Sequence, residues 1–377
     1  MSDESLTYLL RLSGTISTKS ARTRNRFVQR LEHNLRSALD RADVDYQFER
    51  RWNRLFVVTD DERAAEILPT VAGVQSVRPS RPYRWESIDD LVERGYELYA
   101  DRVDGHSFAV RSRRVGQRDG FPFTSVDLNR ELGGALDEVG GGVDLDDPEV
   151  EVRLEVHHDE AYFFDDDIPG PGGLPVGTEG RALALVSGGF DSAVAAWTML
   201  KRGVALDFLF FNLGGPAHER GVRDVIGYLG EHWCHGYEPD LHVVDFRPMV
   251  ADLKVEVPGK YWQVILKRLM FRAAEKVAEQ VDSPTIITGE AIGQKSSQTA
   301  ANLHVTDRVT RLPIHRPLVT CDKQEIISIA RNIGTFEDAT IQAGCNRIAP
   351  NKPDTRASIA RVREREPDEL TEWAKEA

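Results

Sequence analysis

Cysteine is nearly absent from this 377-residue chain. Cys234, Cys321 and Cys345 stand alone, with no CxxC or zinc-ribbon spacing. So odd and sparse a set excludes a disulfide framework and sets the expectation of a reducing compartment. No apolar run approaches the ~18 residues that a membrane span needs. The opening MSDESLTYLL has neither a positive n-region nor a small-residue cleavage site, so a cytoplasmic protein is expected. The lysine-bearing phosphate loop GxxxxGK[ST] is also missing. Positive charge is short: 48 Lys and Arg face 61 Asp and Glu, a net charge of -13, and lysine is scarce beside arginine. A nucleic-acid surface on such a chain must be confined to basic islands. The balance resembles that of proteins adapted to high salt, with an ordinary acidic enzyme as the alternative.

Periodicity supplies the organisation. In the first eighty residues SLTYLLRLS reads as a strand, RTRNRFVQRLEHNLRSALDRA as an amphipathic helix, and DYQFERR and RLFVVTD as a strand pair. ERAAEILPTV (helix) and VQSVRPS (strand) complete a β-α-β-β-α-β order, the ferredoxin-like unit. A second unit runs from 81 to 167: helix SIDDLVERGYELYA, strand SFAVRSRRV, helix SVDLNRELGGALDEV, and two strands in EVEVRLEVHHDEAYFF. Residues 168–180 gather Gly and Pro without periodicity and read as a linker. From 181 to 377 strands ALALV, ALDFLFF, LHVVDF and TIITG alternate with helices beginning near 191, 217, 262 and 323. That pattern predicts a doubly wound parallel α/β sheet. The charged tail TRASIARVREREPDELTEWAKEA reads as a solvated helix.

The stretch RALALVSGGFDS places Ser187, Gly188, Gly189, Asp191 and Ser192 at a strand-to-helix turn. Ligands of open parallel sheets sit beyond the carboxyl ends of the strands. Glycines there let backbone N–H groups approach an anion, Ser187 and Ser192 add hydroxyls, and the helix N-terminus adds partial positive charge. Asp191 would repel phosphate unless it meets a cation, which points to Mg²⁺. The bland alternative is a Gly-Gly turn capped by Asp and Ser. Without the P-loop lysine, the cradle suits pyrophosphate as a leaving group. The pattern resembles the PP-loop, SGGxDS, of the ATP pyrophosphatases.

Further stretches narrow the resemblance: PGGLPVGTEGRALALVSGGFDSAVAAWTMLKRG, FFNLGGPAHERGV, VILKRLMFRAAEKVAE, TGEAIGQKSSQTAANL and HRPLVTCDKQEII. Together they closely resemble the tRNA 4-thiouridine synthetase (ThiI) family. SGTISTKSARTRNRFVQRLEHNLRSAL is similar to its ferredoxin-like domain, and FAVRSRRVGQRDGFPFTSVDLNRELGGAL to its THUMP domain. The resemblance implies a multidomain α+β and α/β chain: ferredoxin-like domain, THUMP domain, and PP-loop domain. It implies ATP-dependent thiolation of uridine 8 in tRNA, by adenylation of uracil O4 and displacement of AMP by sulfur. The nucleotide-binding residues it implies are Leu185, Val186, Ser187, Gly188, Gly189, Asp191, Ser192, Phe210, Phe211, Lys267, Gly289 and Gln298. Lys267 has the adjacent Arg268 as an equal by pattern. Lys323, opening a helix where a cation opposes the dipole, is a candidate to neutralise phosphate charge.

Cys345, in QAGCNRIAPNKP, matches the family's catalytic cysteine and implies a persulfide carrier; the alternative is a small buried hydrophobe. Asn346 stands where glycine is common, and a short form without the rhodanese-like domain of some relatives is expected. A salt-adapted archaeal source is expected, with sulfur from sulfide or a persulfide-carrying protein. An iron–sulfur cluster on Cys234, Cys321 and Cys345 stays open. Residues 14–31 hold Lys19, Arg22, Arg24, Arg26 and Arg30 with no acid. Arg111, Arg113, Arg114 and Arg118 form a second cluster. Guanidinium forks on phosphates fit both, against the alternative of a solvated helix face, and would read a folded tRNA by shape. Relatives are often dimers, which implies a homodimer here. A small-molecule ligase on the same loop would leave the N-terminal half unexplained, and a pure RNA-binding module would leave Ser187–Ser192 unexplained.

Overall fold

The computed structural model describes residues 6–51, 54–116, 120–164, 167–336, 348 and 352–376. These fall into two compact units, Met1–Thr18 with Arg36–Gly172, and Lys19–Leu35 with Gly173–Ala377. No helix among the described residues is long and apolar enough to cross a membrane.

The N-terminal order is β1 (Thr7–Leu12), α1 (Gly14–Ser17), α2 (Ala21–Arg41), β2 (Gln47–Arg51), β3 (Arg54–Val58), α3 (Ala64–Ile67) and β4 (Val74–Ser80). There follow β5 (Pro82–Arg84), α4 (Ile88–Val103), β6 (Phe108–Arg114), α5 (Ser125–Asp137), β7 (Val150–Val156), β8 (Glu160–Phe164) and β9 (Ile168–Pro169). The first sheet runs β2-β3-β1-β4-β9 and is antiparallel throughout, the ferredoxin-like arrangement. The second runs β5-β8-β7-β6, with β6 and β7 parallel. Both helices of this second layer start on capping boxes, Ser87 with Asp90 and Thr124 with Asp127. Their stripes Leu91–Tyr99–Val103 and Leu128–Leu132–Leu136 recur at helical spacing and share a core with Phe108, Val110, Val152 and Leu154. The stretch read as a linker is anchored: β9 pairs with the edge of β4, and Leu174 and Val176 are buried.

The second unit carries β10 (Arg181–Val186), α6 (Phe190–Leu200), β11 (Ala205–Asn212), α7 (Pro216–Trp233), β12 (Leu241–Asp245), α8 (Arg247–Glu256) and α9 (Trp262–Gln280). It continues with β13 (Ile286–Ile287), α10 (Ala300–Asp307), β14 (Ile314–His315), α11 (Lys323–Asn332), α12 (Ile359–Arg363) and α13 (Asp368–Glu376). The sheet order β12-β11-β10-β13-β14 is parallel throughout. All eight residues of β11 are buried, as a strand covered on both faces requires. The chain steps outward from β10 to β12, then returns to lay β13 on the other side of β10. A crevice is forced open at that reversal, beyond the carboxyl ends of β10 and β13.

The tail departs from the expectation of a solvated helix. Val362, Leu370 and Ala374 are buried in the same core as Leu266, Leu269 and Phe271 of α9. Between them Glu366 accepts Nε–H and Nη2–H of Arg268 (3.0 and 2.8 Å) and is also held by Arg272. The charged composition hid an amphipathic stripe and one buried acid. Burial pushes the Glu366 carboxyl up, but Arg272 and Arg268 outweigh it and hold it below the usual glutamate range. Removing one partner of a buried pair leaves a charge uncompensated. Glu366→Ala is therefore expected to destabilise the fold by about 3 kcal/mol, read by urea unfolding. A depressed carboxyl stabilises above its unfolded pKa and loses that contribution as pH falls through the folded one. The gap between wild type and variant should accordingly close on acidification. A gap that stays constant with pH would count against the pair.

Candidate active site

The crevice at the strand reversal is a cleft of about 180 Å³. Its apolar wall is Leu185, Val186, Phe211, Leu266, Met270 and Phe271; its polar rim comes from the turn after β10 and the loop after β13. The turn is closed by Ser192, whose Oγ donates to Gly189 O (2.8 Å) and accepts from Ser187 N–H (3.3 Å). Its hydroxyl is thus occupied within the turn, where the sequence suggested a free donor. Gly188 sits at φ 76, which an L side chain rarely adopts. The N–H groups of Gly188 and Gly189 have no partner among the described residues. They precede the N-terminus of α6, so the turn offers unpaired donors and a positive helix end to an anion.

Asp191, in the first turn of α6, accepts from Lys323 Nζ (2.7 Å) and from Gln294 Nε2 (3.3 Å). Lys323 opens α11 as expected, and its ammonium also lies 4.1 Å from the centre of the Phe190 ring. Three segments far apart in sequence therefore meet at one carboxylate. Gly289 has a packing reason in addition to ligand access: a Cβ there would lie 2.7 Å from the Asp191 carbonyl. The end of β13 can approach the start of α6 this closely only without a side chain.

Lys267 and Arg268, equal by pattern, separate completely. Lys267 lines the cleft and pairs with Glu290, whereas Arg268 is buried on Glu366 and the Val305 carbonyl. Glu290 also accepts from Arg316 Nε (2.9 Å) and Thr288 Oγ1 (3.2 Å), and Arg316 forks onto Asp307. Burial pushes the Glu290 carboxyl up, and the Lys267 and Arg316 charges more than offset this, holding it below the usual glutamate range. An ionised Glu290 keeps the Lys267 ammonium against the cleft wall.

Of the expected nucleotide-binding residues, Leu185, Val186, Ser187, Gly189, Asp191, Ser192, Phe211, Lys267, Gly289 and Gln298 all line this cleft. Gly188 lies within the same turn. Phe210 does not line it; its ring is fully buried, edge-on to His218 at 4.9 Å. The sequence reading passed over His218, Glu290, Gln294 and Arg316. The signal for Glu290 was its place directly after Gly289; the others carried none before the chain was folded.

No group of three or more His, Cys, Asp or Glu side chains among the described residues could hold a metal ion. Cys234 is fully buried at the end of α7. Cys321 is half-buried beside the cap of α11, and burial with Glu325 and Asp322 pushes its thiol up, against ready thiolate formation. Cys345 and Asn346 lie outside the described residues.

In the basic segment, Arg22 and Arg26 are exposed and Lys19 and Arg24 half-exposed, with Lys19 and Arg26 both lying against the Phe27 ring. No ion pair among the described residues holds Arg22, Arg24 or Arg26. Arg30 is spent on structure, donating Nε–H to the Val176 carbonyl (2.8 Å). In the second cluster Arg111 pairs with Glu151 (2.6 Å) and Arg114 donates to the Phe123 carbonyl. Arg113 is exposed and has no ion pair among the described residues. Arg118 lies outside them.

Comparison with known proteins agrees with this architecture. Family models match in three places: the ThiI ferredoxin-like domain at 7–77, the THUMP domain at 86–166, and the thiamine biosynthesis protein (ThiI) family at 177–370. The chain is 39% identical over 361 residues to a tRNA sulfurtransferase of Aeromonas salmonicida (strain A449), covering 94% of this chain and 74% of that protein. It is 38% identical to the tRNA sulfurtransferase of Marinobacter nauticus, covering 95% and 75%. Among solved structures, a 4-thiouridine synthetase–RNA complex with bound ATP superposes with a TM-score of 0.82 at 29% identity, covering 99% of this chain and 98% of that one. PH1313 from Pyrococcus horikoshii, at 24% identity and a TM-score of 0.68 over 88% and 99%, shares the fold. None of these matches supports the archaeal source expected from the charge balance.

Proposed function

Because the chain belongs to the ThiI family, whose matched relatives are tRNA sulfurtransferases, we propose that it converts uridine 8 of tRNA to 4-thiouridine at the expense of ATP. In this reading ATP adenylates uracil O4, pyrophosphate leaves, and a sulfur nucleophile displaces AMP. One observation carries it: the turn holding Gly188 and Gly189, whose N–H groups have no partner among the described residues, borders a cleft at the switch point of a parallel sheet, beside Asp191, Lys323 and Lys267.

The residues divide the work. Leu185, Val186, Phe211 and Gln298 enclose the adenosine, and the Gly188 and Gly189 N–H groups take phosphate oxygens. Lys267, kept in place by Glu290, and Lys323 offset the charge that grows on the phosphates as the bond to pyrophosphate breaks. Asp191 is the one carboxylate at the turn. A lone carboxylate beside phosphates suits Mg²⁺, which keeps several waters and takes phosphate oxygens as further ligands. When bound, that ion would neutralise phosphate charge.

In this reading residues 1–80 and 81–167 serve tRNA, 168–180 connect, and 181–377 carry the chemistry. Lys19, Arg22, Arg24, Arg26, Arg111, Arg113 and Arg114 hold tRNA phosphates. Cys345 takes the outer sulfur of a persulfide-carrying protein, whose own thiol leaves, or resolves that persulfide after it has attacked; sulfide, as the alternative donor, displaces AMP directly. We place the enzyme in the cytoplasm, as a homodimer. Incubating the protein with ATP, an unmodified tRNA transcript and sulfide should yield pyrophosphate and 4-thiouridine, read by nucleoside mass spectrometry. Pyrophosphate without tRNA dependence, and no thiolated nucleoside, would favour a small-molecule ligase instead.

Arg24 and Arg26 give a separate test of the RNA surface. Each phosphate contact adds about 0.7–0.9 to the slope of log affinity against log salt. Arg24→Glu with Arg26→Glu is expected to weaken tRNA binding and to reduce that slope by roughly 1–2. A filter-binding series with an unchanged slope would leave this helix facing solvent.

A further inference from the structure

His218 lies in the first turn of α7, is 6% exposed, and lines the cleft without a role in the proposed chemistry. Its Nε2 is 3.1 Å from the carbonyl oxygen of Ser187. A carbonyl only accepts, so Nε2 carries the hydrogen and donates it. The other ring nitrogen, Nδ1, is buried with no partner among the described residues. An orphaned buried nitrogen costs stability, so an apolar side chain would serve packing better than this imidazole. The surroundings make room for the ring. A Cβ on Gly214 would lie 2.9 Å from the Cβ of His218, and Phe210 meets the ring edge-on. Val222, one helical turn further along α7, would be 3.1 Å from a Cβ on Gly188. His218 and Val222 together form the floor under the turn.

The peptide bond gives this contact its consequence. No described peptide is cis, and in a trans peptide the C=O and the N–H point to opposite sides. A Ser187 carbonyl held by His218 therefore turns the Gly188 N–H away from α7, and that N–H has no partner among the described residues. Gly188, at φ 76, has no intrinsic preference that would fix this orientation. We propose that His218 is a positioning residue of the phosphate-binding turn, anchoring the Ser187–Gly188 peptide so that its N–H is presented to the phosphates of the nucleotide. This rests on the cleft being the ATP site.

The test compares ATP with adenosine, which lacks the phosphates, by calorimetry on wild type, His218→Leu and His218→Gln. Leucine keeps bulk and loses the donor; the glutamine amide carries an N–H to about the position of Nε2. His218→Leu is expected to weaken ATP binding about tenfold and leave adenosine binding unchanged, and His218→Gln to restore most of the loss. Equal weakening of both ligands would make His218 a packing residue and overturn the proposal, as would unchanged ATP affinity or a glutamine that rescues nothing. If the leucine variant does not fold, His218→Asn, whose amide stops short of Nε2, takes its place against glutamine. A folded wild type that binds adenosine no less tightly than ATP would sink the reading of the cleft itself, a result distinct from the others.

Discussion

Asp191→Ala should abolish thiolation, by at least about 10³-fold, while leaving tRNA affinity within about twofold of wild type. The carboxylate is the meeting point of three segments, and its removal frees Lys323 and Gln294 together. It also takes away the only acid at the turn suited to a magnesium ion shared with the phosphates. Electrostatics alone would predict the reverse for ATP binding, since a bare carboxylate repels phosphate. Loss of activity on deleting it therefore points to a cation standing between the two or to a Lys323 no longer held in place. Asp191→Asn sharpens the comparison: it keeps the size and loses the charge. An asparagine variant as inactive as the alanine one assigns the effect to charge. The fold should survive, because a first-turn acid contributes only about 0.3–1 kcal/mol to a helix. Arg22, Arg24 and Arg26 are not among the residues that line this cleft, so a gel shift should be unchanged. Parallel loss of tRNA affinity would break the proposed division between binding and chemistry.

Cys345→Ser is expected to stop turnover after adenylation: pyrophosphate is still released in the presence of tRNA, and no 4-thiouridine forms. Adenylation needs ATP, a cation and the uracil oxygen. Displacement of AMP needs a sulfur nucleophile, and a serine hydroxyl can neither carry a persulfide nor resolve one. The two remaining cysteines separate the routes. A persulfide route with one resolving thiol spares Cys234→Ser or Cys321→Ser. Cys234 is the better candidate to be spared, because it is fully buried. A cluster held by all three would lose iron, and activity, on either change. The readouts are iron content and single-turnover nucleoside analysis with a persulfide-carrying protein as donor. A Cys345→Ser enzyme that thiolates at the wild-type rate would reduce the residue to packing.

What could be read in the chain without folding it follows from local physics. The ferredoxin-like order, the alternation of strands and helices after 181, and the SGGFDS turn each depend on short-range periodicity and on glycine where the backbone must leave the usual region. Ten of the twelve nucleotide-binding candidates line one cleft because a strand-end turn in a parallel sheet has few places to go. Other features belong to distance. The strands β5, β9 and β14 are two or three residues long and exist only because a neighbour's edge is there to pair with. The sequence offers Lys267 and Arg268 as equals; α9 turns successive side chains through about 100°, so one meets the cleft and the other meets Glu366. The tail's charges looked solvated until Arg268 and Arg272 supplied a buried partner for one of them. His218, Gln294 and Arg316 became visible only when α7, the loop after β13 and the segment after β14 converged on the turn. Sequence determines which residues can cradle an anion, because that is backbone chemistry. Tertiary structure decides which charges and hydrogen bonds hold the cradle in shape, because the partners that other elements bring to Asp191, Ser187 and Glu290 lie between 23 and 132 residues away along the chain.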